Sequence, residues 1–418
     1  MLIKDARFVL TPEGLQENKS IEISENRIKS LDGEDKSGKI IDASGYAVLP
    51  GLVNMHTHAS MNLFRGVSDD KKLQEWLQED IWPLEEKLDG EKCYWGALHA
   101  FLEMIKTGTT CFNDMYFYMD QVAEAAEKIG IRGFLGHGMI DLGDQDKADK
   151  ELQEAKRIVN ELKGSSDLVE PAVTPHSCET CSEELLLRSK ELADKNDALL
   201  HIHLAETGKE IEEVKKRGYG GSVEYLNKLG LLDERFIGAH AVHLNKKEIK
   251  ILKNSGGSVV YNPCSNMKLA SGVSPVIEMM KRGVNVCLGT DSVTSNNNLD
   301  LFEEMKIATL LQKVRSSDPT VMPAEETVKT VGENAGRALN KKIGLIEEGY
   351  LADLILIDLD DIRMKPTHNL ISNLVYSGAS VDTSIVNGEV VMENQEVKTI
   401  DERKVQKKVE EIARELTS

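Results

Sequence analysis

The sequence predicts an α/β fold, a (β/α)8 TIM-type barrel carrying a small β-sandwich formed from both chain ends. Three observations predict it. Eight apolar runs alternate with stretches of helical period between residues 47 and 291. The segments on either side both read as short strands and turns, and neither could bury a core alone. Histidines and acidic residues recur at the ends of the apolar runs, where a barrel of this type places its chemistry.

The opening segment has strand character at residues 2–10, 20–23, 27–31 and 39–42. The barrel runs follow at 47–58, 109–113, 131–136, 168–176, 199–204, 236–242, 258–262 and 284–291. After them, residues 344–350 lead into an apolar strand at 352–358. A hairpin is expected over 384–391, because Asn387-Gly388 suits a tight turn with both residues at positive φ. The expected division is a sandwich from 1–49 with 346–400, a barrel over 50–345, and a helix over 401–418. In that helix Val405, Val409, Ile412 and Leu416 recur at helical spacing, which calls for docking on the body or on a neighbouring subunit.

The formal charge of -19 disfavours nucleic-acid backbones and anionic membranes as partners. It suits a soluble cytoplasmic enzyme acting on a neutral or cationic small molecule. No apolar stretch approaches the roughly 20 residues of a membrane span, and residues 1–10 lack a signal-peptide pattern. The six cysteines hold one close pair, Cys178 and Cys181; a lone C-x-x-C reads as structural thiols in a reducing compartment.

His56-Thr57-His58 follows the first barrel run. Side chains at i and i+2 of a strand point the same way, so two imidazoles can converge on one ion. His203 and Asp291 complete a nitrogen and oxygen set without thiolate. Such a set suits one divalent cation, zinc first, with Fe2+ or Mn2+ as alternatives. A cation of this kind lowers the pKa of a bound water toward neutrality. Glu206, three residues beyond His203, is placed to take a proton from that water and deliver it to a ring nitrogen of the substrate. His240 is the expected base or electrophile holding the water, and Asp291 is expected to ligate with one oxygen and hold the water with the other. The fourth strand end, 172–177, contains no lysine to bridge a second metal, which leaves His176 for the substrate. His201, on the same strand face as His203, reads as core; His99 reads as packing, His243 as structural, and His368 is unassigned.

Residues 50–58, His203 with Glu206, residues 239–243 and residues 288–291 resemble the amidohydrolase superfamily over nearly the whole chain. Arg65-Gly66, Asp69-Asp70, Trp76-Leu77, residues 83–85, residues 263–269 and residues 295–297 resemble the methylthioadenosine/S-adenosylhomocysteine deaminase group, including archaeal 5'-deoxyadenosine deaminases. The resemblance implies metal binding by His56, His58, His203 and Asp291. It implies a proton shuttle at Glu206 with support from His240. It also implies ribose contacts by Glu85 and His176, with Glu206 and Asp291 facing the substrate ring. One carboxylate accepts from two vicinal hydroxyls, which suits Glu85 to a ribose.

The chain departs from the group between the third and fourth strands. His137 stands where an arginine would hold an amino-acid carboxylate, and no arginine follows before Arg157. That favours a small uncharged 5' group, as in 5'-deoxyadenosine or methylthioadenosine, with S-adenosylhomocysteine left open through Lys147. The expected reaction is metal-dependent hydrolytic deamination of the adenine ring of such nucleosides, with adenosine itself as a further candidate substrate, to the inosine analogue and ammonia. The rivals are another ring (guanine, an s-triazine or cytosine), cyclic-amide hydrolysis, or a non-catalytic scaffold. A homo-oligomer, dimer or tetramer, is expected from the resemblance, with no nucleic-acid or membrane partner.

Overall fold

The computed structural model describes residues 1–33, 38–71 and 73–417. The expected spans 1–49 and 401–418 therefore include residues 34–37 and Ser418, which lie outside the described residues.

Among the described residues, five strands open the chain: β1 (Leu2–Thr11), β2 (Gly14–Ser24), β3 (Arg27–Ser30), β4 (Ile40–Asp42) and β5 (Tyr46–Pro50). Eight more form the barrel: β6 (Leu52–Thr57), β7 (Thr109–Tyr116), β8 (Arg132–Met139), β9 (Val169–Pro175), β10 (Leu199–Leu204), β11 (Phe236–His240), β12 (Ser258–Tyr261) and β13 (Asn285–Leu288). The last four are β14 (Leu354–Asp358), β15 (Val381–Val386), β16 (Glu389–Glu393) and β17 (Glu396–Val397).

The run expected as one strand over 47–58 is two. It breaks at Gly51, where a Cβ would lie 2.0 Å from Thr110 Oγ1. β5 before the break belongs to the terminal sheet and β6 after it to the barrel. The terminal strands hydrogen-bond as one mixed nine-stranded sheet in the order β17-β16-β15-β14-β5-β1-β2-β3, with β4 on β1. The antiparallel β5–β14 pair joins the two ends of the chain. Ile3, Val9, Ile21, Val48, Leu354, Leu356 and Ile385 pack as this sheet's own core. The hairpin is present: Asn387 (φ +53°) and Gly388 (φ +78°) link β15 to β16.

β6 to β13 pair side by side in chain order, and the pairs run parallel. The Asp291 amide donates to the His56 carbonyl at 2.9 Å, and the Asn54 side chain holds Thr290 through 2.7 and 3.0 Å bonds, so the last strand end is tied back to the first. Val53, Cys111, Phe134, Ala172, Leu199, Ile237, Val260 and Cys287, one from each strand, fill the interior, with Ala335 and Ala338 of helix Glu333–Ala338. Side chains alternate along β10, so Leu199, His201 and His203 share the inward side.

Helix Glu402–Thr417 buries Val405, Val409, Ile412 and Leu416 and packs on helix Gly90–Lys106 of the same chain, which decides between the two expected docking modes. The six cysteines are free thiols, and burial pushes Cys181 up to about 12. Among the described residues, no helix is long and apolar enough to cross a membrane.

Sheet and barrel are locked by a buried ion pair. Arg132 on β8 donates to Asp353 through Nε (2.7 Å) and Nη2 (3.1 Å), and the Asn387 amide adds a 2.7 Å bond to the same carboxylate. Each residue is 3% exposed. Asp353→Ala strands the guanidinium in the interior and should cost about 3–5 kcal/mol, read as a lowered midpoint in thermal unfolding followed by circular dichroism.

Candidate active site

The C-terminal ends of the barrel strands carry the predicted residues. His56 lies near the end of β6 and His58 just follows it, His176 follows β9, His203 lies on β10, His240 ends β11 and Asp291 follows β13. A β-bulge aims the first pair. Between Asn54 and Thr57, β6 advances three residues while β7 advances two. Val53 and Met55 face the interior cluster, so strict alternation would turn His56 outward; the extra residue re-aims it.

His58 Nε2 lies 3.3 Å from His203 Nε2, and Asp291 Oδ1 lies 3.2 Å from His58 Nε2 and 3.4 Å from His56 Nε2. His58 Nδ1 donates to the Met115 carbonyl at 2.6 Å and His203 Nδ1 to the His176 carbonyl at 2.8 Å. A carbonyl only accepts, so these rings carry hydrogen on Nδ1 and, in their neutral form, turn a lone pair at Nε2 toward the centre. His56 Nε2 is buried and makes no hydrogen bond. An orphaned ring nitrogen facing two others and a carboxylate is the arrangement a divalent cation satisfies, and the donor set fits one. Burial takes the His56 pKa down to about 4. It opposes a charge on His58 too, but the Asp291 carboxylate overrides it and raises that pKa to about 9. Burial also works against the Asp291 carboxylate, yet the neighbouring imidazoles hold it well below the usual range.

His201, expected as core, is buried and has a polar task as well. Its Nε2 lies 3.0 Å from His56 Nδ1 and its Nδ1 lies 3.0 Å from Asn113 Nδ2. Asp291 Oδ2, expected to hold the attacking water, accepts from Ser265 Oγ at 2.6 Å and Ser295 Oγ at 3.0 Å. A water there would share that oxygen with two hydroxyls. Both serines fall inside segments that carry the family resemblance, but sequence reasoning assigned them no role.

Glu206 lies in the loop after β10, and burial raises its pKa. Its oxygens lie 3.4 Å from Ser271 Oγ and 3.8 Å from His240 Nε2. His240 Nδ1 accepts from the carboxamides of Asn266 at 2.9 Å and Asn262 at 3.3 Å. In its neutral form His240 therefore keeps hydrogen on Nε2 and offers a donor toward Glu206. Ala205 (φ +48°), His240 (+73°), Ala241 (+50°) and Asp291 (+62°) are all left-handed without being glycine. Such strain persists only where the surroundings over-determine it, and these four stand at the strand ends that carry the candidate site.

Glu85 closes the short helix Trp82–Glu85; its Oε1 accepts from Tyr116 at 2.7 Å, and burial raises its pKa. His176 Nδ1 is bonded to Thr180 Oγ1 at 2.9 Å, burial takes its pKa down to about 3, and its ring lies 4.5 Å from that of His203. A neutral imidazole with Nδ1 engaged has Nε2 to offer a hydroxyl. His137 pairs in register with Tyr116 and bonds Glu151 Oε2 at 2.6 Å. An apolar cavity of about 520 Å³ lies elsewhere, where Phe8, Leu10, Leu52, Val331 and Leu370 bring sheet and barrel together. Leu52 starts the strand near whose end His56 lies, so this cavity is at the opposite end of the barrel from the ligand set.

The chain is 48% identical over 422 residues to a 5'-deoxyadenosine deaminase of Methanopyrus kandleri, covering 98% of each chain. It is 48% identical over 387 residues to a 5-methylthioadenosine/S-adenosylhomocysteine deaminase of Thermococcus onnurineus, covering 92% of this chain and 90% of that one. Among solved structures, an adenosine deaminase from Xanthomonas campestris with bound zinc superposes with a TM-score of 0.93 at 30% identity, over 100% of this chain and 98% of the other. The model of the amidohydrolase family matches residues 47–391. The chain belongs to the amidohydrolase family.

Proposed function

We propose that this protein is a metal-dependent deaminase of 5'-modified adenosines, converting 5'-deoxyadenosine or methylthioadenosine, and S-adenosylhomocysteine less well, to the inosine analogue and ammonia. The observation that carries the reading is one centre: three imidazole nitrogens and Asp291 Oδ1 gathered at the barrel rim, with a buried carboxyl, Glu206, beside His240. His56, His58, His203 and Asp291 would hold one divalent ion, with zinc the identity proposed. When bound, such an ion acidifies a water and polarises what it touches.

The remaining chemistry belongs to side chains. The raised pKa of Glu206 keeps its proton available nearer neutrality, where it can be given to N1 of the adenine ring. Protonation draws electrons from C6, water adds there, and a C6–O bond forms. Glu206 takes a water proton and passes it to the departing amine; as the C6–N bond breaks with release of ammonia, the remaining hydroxyl proton goes to Glu206 and the C6 carbonyl of the inosine analogue forms. His240 Nε2–H donates to the developing charge on the added oxygen. Glu85, with Tyr116 on one oxygen, keeps its other oxygen for the ribose hydroxyls, and His176 Nε2 offers a further contact.

The 5' preference follows from charge. His137 adjoins the residue that holds Glu85, and it is already paired to Glu151. A carboxylated 5' tail would meet a carboxylate there rather than a guanidinium. The reading extends to a cytoplasmic homo-oligomer, dimer or tetramer, and to the division into terminal sandwich, catalytic barrel and C-terminal helix. The free thiols and acidic charge support the compartment, and the exposed Leu310 and Val314, one helical turn apart, support association.

Ammonia release from metal-replete protein should be seen with 5'-deoxyadenosine and methylthioadenosine; turnover of guanine or cytosine but no adenosine compound overturns the reading. Glu206→Gln should lower kcat about 10²–10⁴-fold while metal content by mass spectrometry stays near that of the parent. His58→Ala should lose the metal itself. Glu85→Ala should weaken nucleosides far more than free adenine, and equal effects would remove the ribose contact. The pair His137→Arg with Glu151→Gln should raise kcat/KM for S-adenosylhomocysteine relative to 5'-deoxyadenosine by about tenfold or more, the worth of one charge-assisted hydrogen bond.

A further inference from the structure

Glu206 stands on an unusual turn. β10 ends at Leu204, Ala205 adopts a left-handed conformation at φ +48°, and Thr207 caps helix Gly208–Lys216 by accepting from the Glu210 amide at 3.1 Å. Thr207-Gly208-Lys209-Glu210 has the sequence of a capping box, in which the glutamate returns to the backbone amide of the cap residue. The same chain shows that ordinary form at Asn245, whose amide donates to Glu248 Oε2 at 3.1 Å.

Glu210 does something else. It reaches past Thr207 to the amides upstream: Oε1 accepts from Ala205 N at 2.9 Å and Oε2 from Glu206 N at 3.1 Å. Ser222 Oγ completes the set with a 2.6 Å bond to Oε1. The carboxylate is 3% exposed, and none of the ion pairs among the described residues includes it. Burying a carboxylate without a counter-cation is costly and raises its pKa, here to about 7. A helix cap alone does not require it, since Thr207 already serves the Glu210 amide. The two amides it binds belong to the strained residue and to the proton shuttle.

We propose that Glu210 is the positioning residue for Glu206: its buried carboxylate holds the left-handed turn at Ala205 and thereby aims the Glu206 side chain into the site. The proposal rests on the deaminase reading for its kinetic consequence, but the clamp itself is a matter of backbone amides. Two further backbone bonds lock the same turn from β11's side, His243 N to Ala205 O at 2.9 Å and Ala241 N to Leu204 O at 2.8 Å. Those bonds hold carbonyls; the amides are left to Glu210.

The test is steady-state kinetics with 5'-deoxyadenosine, together with amide hydrogen exchange by mass spectrometry, on the metal-replete parent, Glu210→Gln, Glu210→Ala and Ser222→Ala. Glu210→Gln keeps one acceptor but turns an N–H toward the Glu206 amide. It should lower kcat about 10–100-fold, the effect of misplacing a catalytic group by about 1 Å, with KM within about twofold and metal content unchanged. Glu210→Ala should lose at least as much, and Ser222→Ala, which folds with the carboxylate in place, should show a smaller loss in the same direction. Exchange at Ala205 and Glu206 should quicken in both Glu210 variants. Unchanged kcat in Glu210→Gln and Glu210→Ala, or a joint collapse of kcat, KM and metal content in Ser222→Ala, overturns the proposal. An inactive parent would overturn the deaminase reading instead, and exchange at the two amides would still decide whether the clamp exists.

Discussion

The hydrogen bond from the Asp291 amide to the His56 carbonyl does two things at once. It ties the last strand of the barrel to the first, and it sets Asp291 Oδ1 within 3.4 Å of both imidazoles of the His-Thr-His segment. Residues more than 230 positions apart in sequence become neighbours only if the sheet curls completely. An open sheet with the same strands would leave its first and last strands at opposite edges. The candidate site is thus a consequence of closure.

Around that centre, buried polar side chains are held by other buried polar side chains. Ser265 and Ser295 occupy one oxygen of Asp291, Asn262 and Asn266 flank His240, and Glu210 holds the turn under Glu206. Glu304, fully buried, binds Asn296, which in turn donates to the Thr290 carbonyl next to Asp291. Burial lifts Glu304 to about 8 and Glu210 to about 7, a sign of how strongly this region resists charge. Polar groups in such surroundings hold one another in place, and removing one leaves its partner unpaired. The four left-handed non-glycine residues at the rim are retained by these contacts rather than by local preference.

The terminal sheet contributes from the far side. Its hold on the barrel runs through Arg132 and Asp353, with Asn387 of the hairpin turn drawn into the same cluster. β5 passes directly into β6 at Gly51, so the first ligand strand is continuous with the sheet. A single chain end could not supply this, because the β5–β14 pair joins residues from opposite ends of the sequence.

Much was legible in the chain itself. Alternation of apolar runs with helical periods determined the barrel, and the Asn-Gly pair determined the hairpin, because both depend on local periodicity and backbone freedom. The chemical type of the candidate site was also readable, since imidazole and carboxylate at strand ends have few other uses in combination. Only the tertiary structure decided which way those groups face. The bulge before Thr57 overrides the simple alternation that would turn His56 outward; an inserted residue registers only against a partner strand. The division of one apolar run at Gly51 depends on Thr110 packing against it. The serines on Asp291 and the reach of Glu210 past its own helix cap depend on distances between segments. Sequence encodes the period of each element and the chemistry of each side chain. Closure, register and buried hydrogen bonds arise only when distant segments pack, and they determine where that chemistry points.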